Sequence, residues 1–340
     1  MRLYRVRAFG SIDGLVELEE PDPKNPAGRQ ALVRIRASSL NYRDLMGLRG
    51  QLVSFGGMPL NHIPLCDGAG EVVAIGPDVS SVVVGDRVAL TFHPSWIGGE
   101  MPHALNVLGR SSGLNDGVLA EFTTVDETEL VRIPRHLSYE EASTLPCAGV
   151  TAWFALYGDG ALAPGNTVLT QGTGGVSLFA LQLAKAGGAR VIATTTSRRK
   201  MSRLRELGAD IVIDASQGKD WTTEVLRATD GIGADLTVEV GGARTFDCSA
   251  AVTKCGGRIS LVGALTGPPS STAATYFLRG LRVRPTRVGS REHFEQLNRA
   301  VSVLKLRPVI DKAFGFAEAR SAFASLEAAE HVGKLVITHL

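Results

Sequence analysis

The chain is short of three things. It has four cysteines in 340 residues, Cys66, Cys147, Cys248 and Cys255, widely spread and with no C-x-x-C pair. That argues against a disulfide framework or a local zinc ribbon and fits a reducing, cytoplasmic setting. It has almost no excess charge: 36 Lys and Arg against 34 Asp and Glu leave +2. No basic block or aromatic-basic interleaving is present, so no nucleic-acid surface is expected. No uninterrupted apolar stretch is long enough to span a bilayer, so no membrane partner is expected. The opening MRLYRVRAFG alternates like a strand and lacks a signal peptide's apolar core. What the chain has in quantity is apolar bulk, 44% of its residues, enough for a sizeable core and two domains.

The first third reads as β-rich. Short apolar runs (Ala31 to Ile35, Glu71 to Ile75, Arg87 to Leu90) are separated by Pro, Gly and Asp turns, and Gly117 introduces a further strand at Val118 to Phe122. Ser95 to Asn115, rich in Gly, Pro, His and Ser, reads as a loop. Between Pro134 and Leu156 the pattern predicts two helical pieces. Ser138 to Glu141 forms a capping box for the first, and the second follows Gly149. From Thr167 strands and helices alternate. Ile211 to Ile213, Asp235 to Val238, Arg258 to Val262 and Leu281 to Val283 read as strands of a parallel, doubly wound sheet. A helix from Glu292 to Leu306 and a short helix–strand unit ending at Val336-Ile337 close the chain.

One stretch carries chemistry. Val168-Leu169-Thr170 leads into Gly172-Thr173-Gly174-Gly175-Val176-Ser177, followed by a helical apolar pattern and a second strand, Val191 to Thr194. In that context the glycines let the backbone turn tightly against a pyrophosphate, whose charge the N–H groups at the helix start then bind. The competing reading is a plain solvent-exposed glycine turn. The end of the second strand selects the nucleotide. An unphosphorylated ribose usually meets an Asp or Glu about 20 residues after the turn. Here Thr195 holds that place, followed by Thr196, Ser197, Arg198, Arg199 and Lys200. Hydroxyls and cations without a carboxylate favour a 2′-phosphate, hence NADP(H). The alternative is that the three cations are only the solvated first turn of a helix, which the helix dipole disfavours.

Several segments together resemble the medium-chain dehydrogenase/reductase superfamily, and the resemblance covers the whole chain. They are Asn41-Tyr42-Arg43-Asp44, Pro64 to Val72, Gly85-Asp86-Arg87-Val88, Leu145 to Ala152, Gln171 to Ser177 and His331 to Val336. Within the superfamily the chain is similar to the zinc-independent, quinone-oxidoreductase-like branch. The resemblance implies an α/β protein: a GroES-like β-barrel domain (1–130, completed by 288–340) and a Rossmann doubly wound domain for NADP(H) (131–287), with the active site in their cleft.

The resemblance also frames the metal question. Relatives with catalytic zinc hold it with a Cys, a His-Glu pair and a second Cys. Carried over, the first Cys is Asn41, the His is Cys66, the Glu is Asp67, and the second Cys is Cys147. An amide is a poor zinc ligand, so no metal is expected, although Cys66, Asp67 and Cys147 can still meet near one point. The structural zinc lobe is absent too, Trp96 standing where it would begin. Without a Lewis acid, Asn41 is the first choice for a polar group near the nicotinamide; bracing a turn is its other reading. The tyrosine that some relatives place eleven residues later is Leu52 here. Tyr42, His62 and His93 are left as substitute proton donors, each with a structural alternative, and Asp67 joins Asn41 and Tyr42 as a catalytic candidate.

The same resemblance puts Thr151 near the nicotinamide, Asp214 near the adenine, and backbone groups of Gly241, Val262, Gly263 and Ala264 at the dinucleotide cleft. Lys334 is expected to turn a cation towards the pyrophosphate. Ser177 replaces the last glycine of the turn at little cost. Leu281 to Arg284 offers an edge for a homodimer. The expected activity is hydride transfer from NADPH to a small-molecule quinone or α,β-unsaturated carbonyl. An alcohol dehydrogenase with a remnant metal site and a non-catalytic NADPH-binding protein are the alternatives.

Overall fold

The computed structural model describes every residue except 53–57, 104–108, 113–114, 159, 161, 217–218, 268–272 and 340. The chain divides into two compact units, Met1–Val150 with Val288–Leu340, and Thr151–Arg287. The expected first boundary stood at residue 130. The unit reaches Val150 because the short helix Tyr139–Ser143 packs on the strands Gln30–Ser39 and Asp67–Ile75.

The first unit is built on a seven-stranded sheet. Its path runs Ile310–Gly315, Lys334–Thr338, Gln30–Ser39, Asp67–Ile75, Arg87–Leu90, Leu130–Arg132, with Phe122–Asp126 also paired to Gln30–Ser39. All pairs are antiparallel except Ile310–Gly315 with Lys334–Thr338. Ala31, Val33 and Ile35 alternate inward with period two, as a half-buried strand requires, and join Leu3, Leu65, Val72, Val88, Leu119, Phe323 and Ile337 in one core. Burying each of the larger side chains is worth about 1.5–3 kcal/mol. The strand expected at Val118 starts later, at Phe122. Residues Val118 to Glu121 instead bond irregularly: Tyr4 N–H donates to Leu119 O at 2.9 Å, and Val118 N–H reaches Pro64 O and Leu65 O. The capping box at Ser138 is present, its Oγ accepting from Glu141 N–H at 3.2 Å.

The second unit carries a six-stranded sheet in the order Ile211–Asp214, Arg190–Thr195, Thr167–Gln171, Ala234–Glu239, Thr253–Leu261, Arg282–Pro285. Every pairing is parallel. Numbered within the unit this is 3-2-1-4-5-6, the doubly wound order whose direction reverses between the first and fourth strands. Leu169, Ile192, Ile213, Val225, Ala234 and Val252 fill one cluster and Phe246, Ala250 and Ile259 another. Among the described residues no helix is long and apolar enough to cross a membrane.

Candidate functional site

In the first unit, four side chains converge on one carboxylate. The last residue of Gln30–Ser39 and the first of Asp67–Ile75 pair in register, Ser39 opposite Asp67. Asp67 is fully buried. Its Oδ2 accepts from Asn41 Nδ2 at 2.8 Å, Ser39 Oγ at 3.1 Å and Lys334 Nζ at 3.4 Å, and Cys66 Sγ lies 3.6 Å from Oδ1. Lys334 Nζ also donates to Leu40 O at 2.6 Å and Asn41 Oδ1 at 2.7 Å. An ammonium only donates and a carboxylate only accepts. The Asn41 amide between them therefore has one orientation, Oδ1 to the lysine and Nδ2 to the aspartate.

This arrangement revises two expectations. Lys334, 4% exposed, spends its three protons on acceptors inside its own unit. The structure thus makes it an internal counter-ion of Asp67 in place of a cation turned towards a pyrophosphate. Asn41 is engaged on both ends of its amide, so it bridges the ion pair rather than standing as a lone polar group. The helix Tyr42–Leu48 that follows explains the local fold: Asn41 N–H donates to Asp44 Oδ2 at 2.8 Å, closing its first turn.

A second charge pair sits beside the first. Asp44 is buried, and Arg43 Nη1 lies 3.5 Å from its Oδ1. Burial pushes the Asp44 carboxyl up to about 6, against the opposing pull of Arg43 and the Asn41 N–H. The Arg43 guanidinium also stacks 5.1 Å above the Phe92 ring and donates to Arg110 O at 3.1 Å. Cys147 is presented by a π-helical turn, Leu145–Gly149, a distortion that recurs at functional sites. Its sulfur, the Cys66 sulfur and an Asp67 oxygen all lie within 4.8 Å of one another. Burial, then the contact with Cys147, raises the Cys66 thiol well above its ordinary value.

The other expected residues of this unit fall outside the cluster. Tyr42 opens its helix and is 39% exposed. His62 is buried with Nδ1 2.7 Å from Pro59 O, and burial lowers its pKa. The His93 ring packs edge-on against Phe92 at 4.6 Å and against Trp96 at 5.9 Å. Leu52 is buried. Parts of the segment Gln51 to Asn61 and of the expected loop Ser95 to Asn115, residues 53–57, 104–108 and 113–114, lie outside the described residues.

In the second unit the expected cofactor residues collect at the carboxyl ends of the parallel strands. Gly172 has φ +74°, a left-handed conformation that favours glycine, and an added Cβ at Gly172 or Gly174 would meet nothing within 4 Å. Thr173 sits between them, largely buried. The helix Gly175–Ala186, with Val176 in its first turn, begins after Gly174, which supplies no side-chain cap. Its first N–H groups are thereby left for an anion. Ser177 Oγ donates to Gln171 O at 2.6 Å, so the serine in the last glycine position ties the helix to the strand end.

Thr195 ends its strand buried, its hydroxyl accepting from Ser197 N–H at 3.2 Å; Thr196 is exposed. Lys200 closes the short turn Arg198–Lys200. Arg198 Nε donates to Asp214 Oδ2 at 2.9 Å. Hydrogen bonds from Ser216 and then Arg198 hold the Asp214 carboxyl down to about 2. Thr151 is buried in the helix Val150–Tyr157. Val262 and Gly263 N–H donate to Glu239 O at 2.8 and 3.2 Å, Ala264 O accepts from Gly267 N–H at 3.0 Å, and Gly241 N–H donates to the Glu239 side chain. Glu239 was missed by the reading of the sequence. Its signal is a charged residue at the buried carboxyl end of the strand Ala234–Glu239, whose other charge, Asp235, stands at the opposite end.

Comparison with known proteins agrees with this geometry. Residues 27–135 match the family described as alcohol dehydrogenase GroES-like domain, and residues 175–302 match zinc-binding dehydrogenase. A zinc-type alcohol dehydrogenase-like protein of Schizosaccharomyces pombe is 34% identical, over 94% of this chain and 93% of its own. The crystal structure of a putative alcohol dehydrogenase from Sinorhizobium meliloti 1021 superposes with a TM-score of 0.92 at 38% identity, covering 99% of this chain and 98% of that one. A mycobacterial protein complexed with NADPH superposes with a TM-score of 0.82 at 27% identity, covering 99% of this chain and all of its own. With both halves matched and relatives aligned end to end, the chain belongs to the medium-chain dehydrogenase/reductase superfamily of nicotinamide-dependent oxidoreductases.

Proposed function

We propose that the protein is an NADPH-dependent reductase of quinones or α,β-unsaturated carbonyls that works without zinc. The observation that carries this reading is the Asp67–Lys334 pair with Asn41 bridging it. A catalytic zinc needs three protein ligands and an open position. Here one carboxylate oxygen of Asp67 already faces an ammonium and two further donors. The charges Asp67 with Lys334 and Asp44 with Arg43 balance with no divalent ion. A divalent ion there would stand beside the Lys334 ammonium, a repulsion that only loss of both thiol protons would offset. We read this donor set as one that serves without a resident zinc.

The cofactor reading rests on the strand end at Thr195, where no carboxylate follows before Arg198, and on the NADPH complex of the mycobacterial relative. NADPH, held at the glycine turn Gly172–Gly175 and the Thr195 strand end, would supply hydride for the β-carbon of an enone, and the substrate enolate so produced would need a proton. Tyr42, exposed and next to Asn41, is our candidate donor for that proton. We also propose a homodimer in a reducing cytoplasm. The edge strand Arg282–Pro285 lies beside the helix Ala273–Arg279, whose Phe277 and Leu278 are 84% and 79% exposed. Edge pairing and apolar cover would be met by a second copy.

The test is NADPH oxidation with enones and quinones, with and without chelator, beside metal analysis of the purified protein. Chelator-insensitive turnover with no stoichiometric zinc is expected. Turnover of simple alcohols only, and only with zinc, would instead establish a metal at Cys66, Asp67 and Cys147, which the 4.8 Å spacing of those atoms favours. Tight NADPH binding without turnover of any substrate would make it a binding protein.

A further inference from the structure

We infer that Glu239 is a positioning residue for the dinucleotide, fixing the pyrophosphate side of the cleft through a carboxylate that touches no ligand. The inference rests on the cofactor reading above. Glu239 is fully buried and ends the strand Ala234–Glu239, which lies beside Thr167–Gln171 where the sheet order reverses. That reversal is where a doubly wound sheet binds its ligand.

Both oxygens of the carboxylate are saturated. Oε1 accepts from Gly241 N–H at 2.7 Å, Gly242 N–H at 2.9 Å and Thr245 Oγ1 at 2.6 Å. Oε2 accepts from Gln171 Nε2 at 3.0 Å and from Ser249 Oγ. No cation is among these five partners. A buried charge without a counter-ion is costly unless its hydrogen bonds are complete, and here they are. The partners come from separate segments. Gln171 immediately precedes the glycine turn, and its own carbonyl holds Ser177 of the following helix. Gly241 and Gly242 form the loop after Glu239. There Gly242 has φ +87°, and an added Cβ would lie 2.3 Å from Gly267 O. The Glu239 main-chain carbonyl anchors Val262 and Gly263 as well. One residue thus sets the mutual placement of the glycine turn, the 241–242 loop and the 262–263 strand end, three of the segments assigned to the cofactor. Thr195 and Asp214, assigned to the adenosine half, are absent from its contacts.

That partition gives the test. Dissociation constants for NADPH and for adenosine 2′-monophosphate, which carries no phosphate for the glycine turn, are measured on the full chain and on Glu239→Gln. The amide replaces an accepting oxygen with a donor, so one of the present donors is displaced. NADPH binding is expected to weaken ten-fold or more and the monophosphate less than two-fold. A purely structural role would leave the two affinities unchanged or weaken them in parallel, whatever the melting temperature does; either pattern overturns the inference. Should Glu239→Gln not fold, Gln171→Ala removes the side-chain link from the glycine-turn strand to Glu239, together with the bond from Val240 N–H to Gln171 Oε1, and is expected to show the same separation, equal affinities again overturning it. Failure of the cofactor reading looks different: the parent protein itself then binds neither ligand.

Discussion

Two buried carboxylates, one in each unit, solve the same problem in opposite ways. Asp67 meets a full positive charge on Lys334 and shares it with a neutral amide and a hydroxyl. Glu239 meets no cation and is held by main-chain N–H groups, two hydroxyls and an amide. The first solution depends on a residue 267 positions away in sequence; the second is assembled from the loop and helix that follow and from the neighbouring strand. A charge balanced by a charge is exposed to the loss of one partner. A charge spread over five dipoles degrades in smaller steps.

The sharpest way to break this comparison is to remove the cation. Lys334→Met leaves Asp67 buried and unpaired, and urea unfolding should show a loss of about 3–5 kcal/mol. The double change with Asp67→Asn should recover most of it; no recovery would mean that the pair contributes nothing beyond packing. Next in size is the neighbouring carboxyl. Asp44 ionises near 3.8 when unfolded but at about 6 when folded, because burial raises it. Between those values the folded state binds more protons, so stability should fall as pH rises from about 4 to 6, by up to roughly 3 kcal/mol. Asp44→Asn should flatten that slope, and an unchanged profile would count against burial as the cause.

Glu239→Gln tests the dispersed solution. One donor loses its acceptor, and a cost of about 1–3 kcal/mol in thermal or urea unfolding is expected, below that of Lys334→Met. An equal or larger loss would erase the distinction drawn here. Smallest is Ser177→Gly, which restores the usual glycine but deletes the 2.6 Å bond to Gln171 O. A loss of about 1 kcal/mol is expected, with NADPH affinity within two-fold.

Much of this architecture can be read locally. Β-branched runs, glycine turns and helical periodicity placed the six parallel strands, and the capping box at Ser138 located a helix start, because each signal is complete within a few residues. The misjudged features were non-local. The strand begins at Phe122 rather than Val118 because Leu119 O and Val118 N–H are claimed by Tyr4 and by Pro64 and Leu65. The partner of Lys334 is set by the pairing of Lys334–Thr338 with Gln30–Ser39, which no spacing in the sequence announces. The meeting of Cys66, Asp67 and Cys147 was visible only through family resemblance. Glu239 was readable in principle as a charge at a strand end, yet its five donors come from a neighbouring strand, the following loop and the helix Phe246–Val252, which only the fold brings together.

The interleaving of the two units has a consequence for biosynthesis. Residues 151–287 hold all six of their strands and can fold as they leave the ribosome, whereas the strand Lys334–Thr338 is made only after them. Until it arrives, Asp67 has no counter-ion and the first sheet lacks the strand that bridges Gln30–Ser39 to Ile310–Gly315. Nascent chains should therefore carry a finished parallel-sheet unit beside an unfinished partner until synthesis has passed Thr338.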